Sequence, residues 1–210
     1  MLEYPSKQTV IVAVKAYNQR YGREDEALWH QVHVARDAVI SRNQDALGSF
    51  VWRIKVWGRI QGVRHTDRPA MVRALLSLDM DLDSEEDVFS KEEAETVAKR
   101  LADLVTASRA EGVKARHFSW SSKILHWLQP RRFPIYDRLV RVHLACDGKD
   151  PSESYRRIVS WQFEAARRLL QDRDAIVGDV HPRTLLRALD KYLWWVAGGA
   201  ESKGAVFNTI

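Results

Sequence analysis

Apolar residues recur along the chain at three- and four-residue intervals, the spacing of one face of an α-helix, and no stretch shows the strict alternation of a half-buried strand. Turn signals divide the pattern into about eight segments of helical length. Val10, Val12, Val14 and Tyr17 predict a first helix that ends near Gly22, and Leu28, Val32, Ala35, Val39 and Ile40 predict a second. A third begins near Asp45, carries Phe50, Val51, Ile54, Val56 and Trp57, and stops at Gly58 or Gly62. Pro69 behind Asp67 opens a fourth through Leu78. Ser90-Lys91-Glu92-Glu93 is a capping box heading a long helix that Gly112 ends. Pro130 limits a short aromatic helix from Ser119 to Leu128, and a new helix starts at about Tyr136. Asp150-Pro151-Ser152-Glu153 launches a further helix, and Pro182 opens the last one, which runs to Gly198-Gly199; the tail from Ala200 is expected to fray. The fold class predicted is all-α.

No repeat or low-complexity tract breaks the 210 residues, so the chain reads as one compact helical domain. The acidic stretch 79–87 is the best place to divide it into two lobes, 1–82 and 83–210.

Charge adds a first functional indication. There are 33 Lys and Arg against 28 Asp and Glu, a formal net charge of +5. The excess is modest, but it is unevenly spread. Acidic residues gather in 79–103, while Arg131, Arg132, Arg138, Arg141, Arg156, Arg157, Arg167, Arg168 and Arg173 crowd the segment after them. Arginine's planar fork suits phosphate, so nucleic acid is the expected partner; solvated helix faces with local carboxylate partners are the alternative. The N-terminus lacks the charged and apolar regions of a signal peptide, and no apolar run approaches a membrane span, which together predict a cytoplasmic protein without membrane contact. The single Cys146 reads as a small apolar helix residue.

Candidate chemistry concentrates in residues 118–137. Lys123 lies on the aromatic helix among Trp120, Ile124 and Trp127, and Asp137 follows the Phe133-Pro134-Ile135 bend as a cap for the next helix. Helix, proline-limited turn and helix can bring amine and carboxylate to opposite walls of one cleft. Ser121 and Ser122 beside Lys123 lack the glycine elbow and paired His of a serine hydrolase, and read as helix caps or phosphate contacts. His30 and His33 stand three apart, but neither they nor His65, His117, His126, His143 and His181 have Cys or carboxylate partners at ligand spacing, so no metal site is expected. No glycine-rich phosphate loop is present, and no cofactor is expected.

The lysine, the Phe-Pro-Ile bend and the following aspartate resemble the active site of helix-hairpin-helix DNA glycosylases, the 8-oxoguanine glycosylase-like branch in particular. The resemblance covers the middle quarter of the chain, with a weaker echo in the aromatic stretch Trp52-Arg53-Ile54-Lys55-Val56-Trp57-Gly58. Where the family places a Leu-Pro-Gly-Val-Gly type turn before its lysine, this chain has Gly112-Val113 and a longer Lys114-Ala115-Arg116-His117-Phe118 link. Its lysine-to-aspartate spacing is also shorter.

The resemblance implies a two-lobed helical fold with a cleft between lobes, acting as a monomer on double-stranded DNA with an extruded base. It implies excision of an oxidised guanine to leave an abasic site, while the departure of the hairpin from the family pattern leaves room for a bulkier modified base, such as a hypermodified cytosine of phage DNA, in a defence role. Lys123 would be the nucleophile, its pKa lowered by burial, and Asp137 would stabilise positive charge on the sugar. Trp120, Trp127, His126, Trp57 and Tyr136 would form the base pocket, and Ser121, Ser122, Arg131, Arg132 and Arg138 would contact phosphates. The rivals are a non-catalytic helical DNA-binding module and a helical scaffold whose tryptophan-rich surface meets a protein.

Overall fold

Helices make up 74 % of the computed structural model, with no strand among the described residues. Those residues are 3–82, 86–110, 117–146, 148, 150–178 and 180–199. The expected stop at Gly112, the link through residues 113–116, the 82/83 lobe boundary and the tail from 200 onward lie outside them in whole or part.

Helix α1 (Lys7–Trp29) is capped by Ser6, whose hydroxyl accepts from the Thr9 amide at 3.2 Å. It runs straight through Gly22, where the sequence predicted an end. A mid-helix glycine costs about 1 kcal/mol, and the buried stripe Val10, Val14, Tyr21, Asp25 and Leu28 continues across it, so packing outweighs propensity. Leu28 therefore belongs to α1, and α2 (Val32–Ile40) starts later than expected. Helix α3 (Gln44–Trp57) ends at Gly58, the earlier of the two stops expected, and α4 (Arg68–Ser77) carries Pro69 in its first turn. The Ser90 hydroxyl accepts from the Glu93 amide at 3.0 Å, and α5 (Lys91–Ala110) follows.

Helix α6 (Phe118–Leu128) occupies the middle of the molecule, packed against α2, α3 and α5, and every residue from Trp120 to Leu128 is buried. Enclosed on every side, this helix has no solvent face to offer, and its polar residues need partners inside the protein. Helix α7 (Arg138–His143) is shorter and later than the sequence suggested, because Asp137 is extended and serves as its cap. Cys146 lies just beyond α7, buried, with its thiol donating to the Leu144 carbonyl, and burial pushes its pKa up. Helix α8 (Pro151–Leu169) has Asp150 as its cap, and a short α9 (Arg173–Val177) was not foreseen. Helix α10 (Leu185–Trp194) starts at Thr184, whose hydroxyl accepts from the Arg187 amide, and not at Pro182, which sits in the preceding loop.

First and last layers meet, since α1 packs along α10, while α5 and α8 form the other side. The buried apolar residues make one continuous cluster from Val10 to Leu193, including side chains from before and after the acidic stretch. No helix of the described residues is long and apolar enough to cross a membrane.

Candidate functional site

The chain leaving α6 is fastened back onto it. Gln129 caps the helix, and the amides of Arg132 and Phe133 donate to its carbonyl at 3.0 and 3.3 Å, turning the backbone into the extended Phe133-Pro134-Ile135 run. Three side chains then hold that run. His126 Nδ1–H donates to the Phe133 carbonyl at 2.7 Å, Tyr155 Oη donates to the Pro134 carbonyl at 3.0 Å, and the Tyr136 amide donates to Ser122 Oγ at 2.9 Å. Ser122 and His126 stand four apart and share a helix face, so one side of α6 pins the bend at two points.

This places Asp137 opposite Lys123, the residue next to Ser122. Lys123 Nζ donates to Ser119 Oγ at 2.8 Å and to Asp137 Oδ2 at 3.3 Å. The other carboxylate oxygen, Oδ1, accepts from the Leu139 amide at 2.9 Å and caps α7. One oxygen is therefore structural and the other is committed to the amine. The lysine side chain is only 6 % exposed and that of Asp137 31 %, so the pair is reached from the aspartate's side.

Gly58 is fitted to this arrangement. A β-carbon there would fall 2.8 Å from Lys123 Cδ and 3.0 Å from the Ile54 carbonyl oxygen. The residue read from the sequence as a helix stop also makes room for the lysine stem.

Amine and carboxylate line a pocket of about 110 Å³ whose walls include Tyr17, Tyr21, Trp57 and Trp194. Trp194 presents its edge to both tyrosines, at ring separations of 5.4 and 5.5 Å. Beneath lies a buried charge network that sequence reasoning missed. Arg187 donates to Asp25 at 2.6 Å, to the Tyr17 hydroxyl at 3.0 Å and to Asp190, while Lys191 Nζ lies 3.0 Å from Asp25 and donates to Asn18 Oδ1 at 2.6 Å. Trp57 Nε1–H donates to the second Asp25 oxygen at 3.2 Å. Buried charges are tolerated only when paired and hydrogen-bonded, and here two cations face two anions.

Burial raises Asp190 to about 6 against the attraction of Arg187, and burial together with the Arg187 charge lowers Lys191 to about 8. Both groups therefore titrate close to neutrality. A signal for the network existed: Arg187, Asp190 and Lys191 interrupt the apolar stripe of the last helix, and Asp25 interrupts that of the first. Charged residues on a core-facing stripe require partners.

Of the residues singled out from the sequence, Lys123, Asp137 and Trp57 meet at the pocket. The others lie elsewhere. Trp120 and Trp127 are fully buried, the former donating its indole N–H to the Val51 carbonyl and the latter packed edge-on to Trp57. His126 is fully buried, and burial followed by the Arg187 charge pushes its pKa down to about 3, which keeps it neutral. Tyr136 is buried between Phe118, Tyr155 and the Arg141 guanidinium. These four are core residues, and the aromatic side chains that line the pocket beside Trp57 are Tyr17, Tyr21 and Trp194.

The phosphate contacts are revised similarly. Ser121 and Ser122 are wholly enclosed, beyond the reach of a nucleic-acid backbone. Arg131 pairs with Asp87 at 3.2 Å, and Arg132 lies 3.7 Å from Asp81 and 3.5 Å from Glu93, so their charges serve internal ion pairs. Arg138 is exposed at the start of α7. Among the described residues no group of three or more His, Cys, Asp or Glu is placed to hold a metal ion.

Comparison of the chain with protein-family models, with curated proteins and with solved structures finds no match.

Proposed function

We propose that the protein is a DNA glycosylase that cleaves the N-glycosidic bond of a damaged or modified base, with Lys123 as nucleophile and Asp137 as its charge partner. The observation that carries this reading is the contact of Lys123 Nζ with Asp137 Oδ2 on the wall of an aromatic pocket open to the surface. In this reading the chain has the two-lobed helix-hairpin-helix arrangement, with α6 and α7 as the arms on either side of the bend.

The glycosidic carbon is shielded while a base remains stacked, so the nucleotide must be turned out of the duplex. Tyr17, Tyr21, Trp57 and Trp194 offer the aromatic surface that an extruded base needs. The Lys123 amine attacks C1′ as the C1′–N bond breaks. The bonding electrons leave with the base, which takes up a proton, and the proton released from Nζ passes to Asp137. Until then the ionised Asp137 stabilises the positive charge developing on the sugar. Asp190 lines the same pocket with a carboxyl that titrates near 6, and it is the group suited to protonate the departing base.

The pocket favours a compact base. At about 110 Å³ it is smaller than the ~150 Å³ cavity known to hold benzene, so any extruded base is held partly in the mouth, and a hypermodified cytosine fits only with its substituent directed outward. With Arg131 and Arg132 engaged in ion pairs, DNA phosphates meet Arg59 at the mouth and the exposed Arg53 and Arg138.

The test is an abasic-site assay on duplexes carrying oxidised, alkylated, deaminated or glucosylated bases. Strand scission after alkaline treatment of at least one duplex, lost in Lys123→Gln, is expected. Salt-dependent DNA binding with no abasic product on any duplex would favour the non-catalytic DNA-binding alternative.

A further inference from the structure

A second and larger pocket, of about 270 Å³, lies at the far end of α6. Gln129 on its wall is six residues beyond Lys123, about 9 Å along a helix axis, and the two pockets share no lining residue. Four arginines line it, Arg36 from α2, Arg131 and Arg132 from the turn after α6, and Arg183 from the loop before α10, with no carboxylate among the lining residues. Behind the wall, Asp81, Asp87 and Glu93 approach Arg131 and Arg132, and Arg173 shares Asp87. With Asp174, the second partner of Arg173, included, five cations against four anions leave the region positive. Arg36 is anchored by donating from Nε to the Leu128 carbonyl at 2.9 Å, and Arg183 is exposed at the rim.

Gln129 gives this pocket a second kind of recognition. Its side chain is almost fully buried and its Nε2 donates to the Asp81 carbonyl, which fixes the amide orientation because a carbonyl can only accept. Oε1 is consequently left buried without a hydrogen-bond partner. An unsatisfied buried acceptor costs about 1–3 kcal/mol, and a ligand N–H or O–H would satisfy it. The half-buried Trp29 indole forms another wall, held edge-on to His33 at 5.9 Å.

We infer that this pocket binds a phosphate group carried on a small molecule with a hydrogen-bond donor, of mononucleotide size or less. The exposed Arg183 guanidinium fork suits the phosphate oxygens, with the ion-paired Arg131 and Arg132 behind it, Trp29 offers a stacking face and Gln129 Oε1 accepts from the donor. A volume just under the usual ~300–1,000 Å³ of ligand pockets excludes anything much larger. The inference does not depend on the role given to Lys123.

Calorimetric titration with inorganic phosphate and with dAMP tests it, using the wild type, Arg183→Glu, Lys15→Glu as an exposed charge control on α1, and Lys123→Ala. Saturable dAMP binding is expected, weakened at least tenfold by Arg183→Glu and unchanged in the other two variants. Should free phosphate and dAMP fail to bind while a short duplex loses tenfold or more in affinity in Arg183→Glu alone, the phosphate is that of a DNA backbone. Two results overturn the inference: no dependence on Arg183 for dAMP, phosphate or duplex, or an equal loss in Lys123→Ala, which would place the ligand in the other pocket.

Discussion

Lys123, Asp137 and Gly58 make the tightest fit between side-chain chemistry and local geometry in this molecule. Because a β-carbon at Gly58 would meet the lysine stem at 2.8 Å, Gly58→Ala displaces the amine without removing it. Any Nζ-dependent adduct should then form at least tenfold more slowly in Gly58→Ala at unchanged α3 helicity; an unaltered rate would mean that the position of the amine is not critical. Asp137 separates two roles that are usually confounded. Asp137→Asn keeps an Oδ1 to accept from the Leu139 amide but removes the charge beside Nζ, and should lower turnover on the order of 100-fold while lowering the melting temperature through the loss of the buried lysine's anion. Asp137→Ala should in addition cost about 1 kcal/mol of stability through the lost cap.

At the level of elements, the bend after α6 is held by hydroxyl and imidazole groups that point inward. Tyr155→Phe leaves the Pro134 carbonyl without its donor inside the core, for an expected loss of about 1–2 kcal/mol in chemical denaturation. Most of the helices were legible in the sequence because their caps are local: Ser90, Asp137, Asp150 and Gly58 act within four residues of themselves. Gly22 was misleading because the stripe that carries α1 through it is satisfied by α10, more than 150 residues away. The pairing of Lys123 with Asp137 was accessible from one short segment. The aromatic pocket was not, since Tyr17 and Tyr21 reach it only once α1 lies along α10. Trp120, Trp127 and His126 looked functional because they flank the lysine, yet a helix surrounded on all sides turns its aromatic residues into core.

For the molecule as a whole, two buried groups set opposing pH dependences. His126 is held neutral with its pKa lowered from 6.5 to about 3, so its contribution is complete above pH 6.5 and is lost as pH falls toward 3. Asp190 is raised from 3.8 to about 6, so its contribution is complete below pH 3.8 and is lost as pH rises through 6. Between pH 4 and 6 the two partly cancel. Asp190→Asn should therefore steepen the loss of stability on acidification in this window, measured by urea denaturation at stepped pH; a shallower loss would contradict the assignment. The same substitution removes the carboxyl proposed to protonate the departing base, so the alkaline limb of a pH–rate profile, where that carboxyl loses its proton, should move with it.

In the proposed reaction the Lys123 amine forms a bond to a DNA sugar, which borohydride reduction during incubation with a duplex on which the protein acts, followed by peptide mapping, detects directly. A single reduced adduct at Lys123, abolished in Lys123→Gln and diminished in Gly58→Ala, is the predicted result. Base release with no reducible adduct, or an adduct that persists in Lys123→Gln, would contradict it.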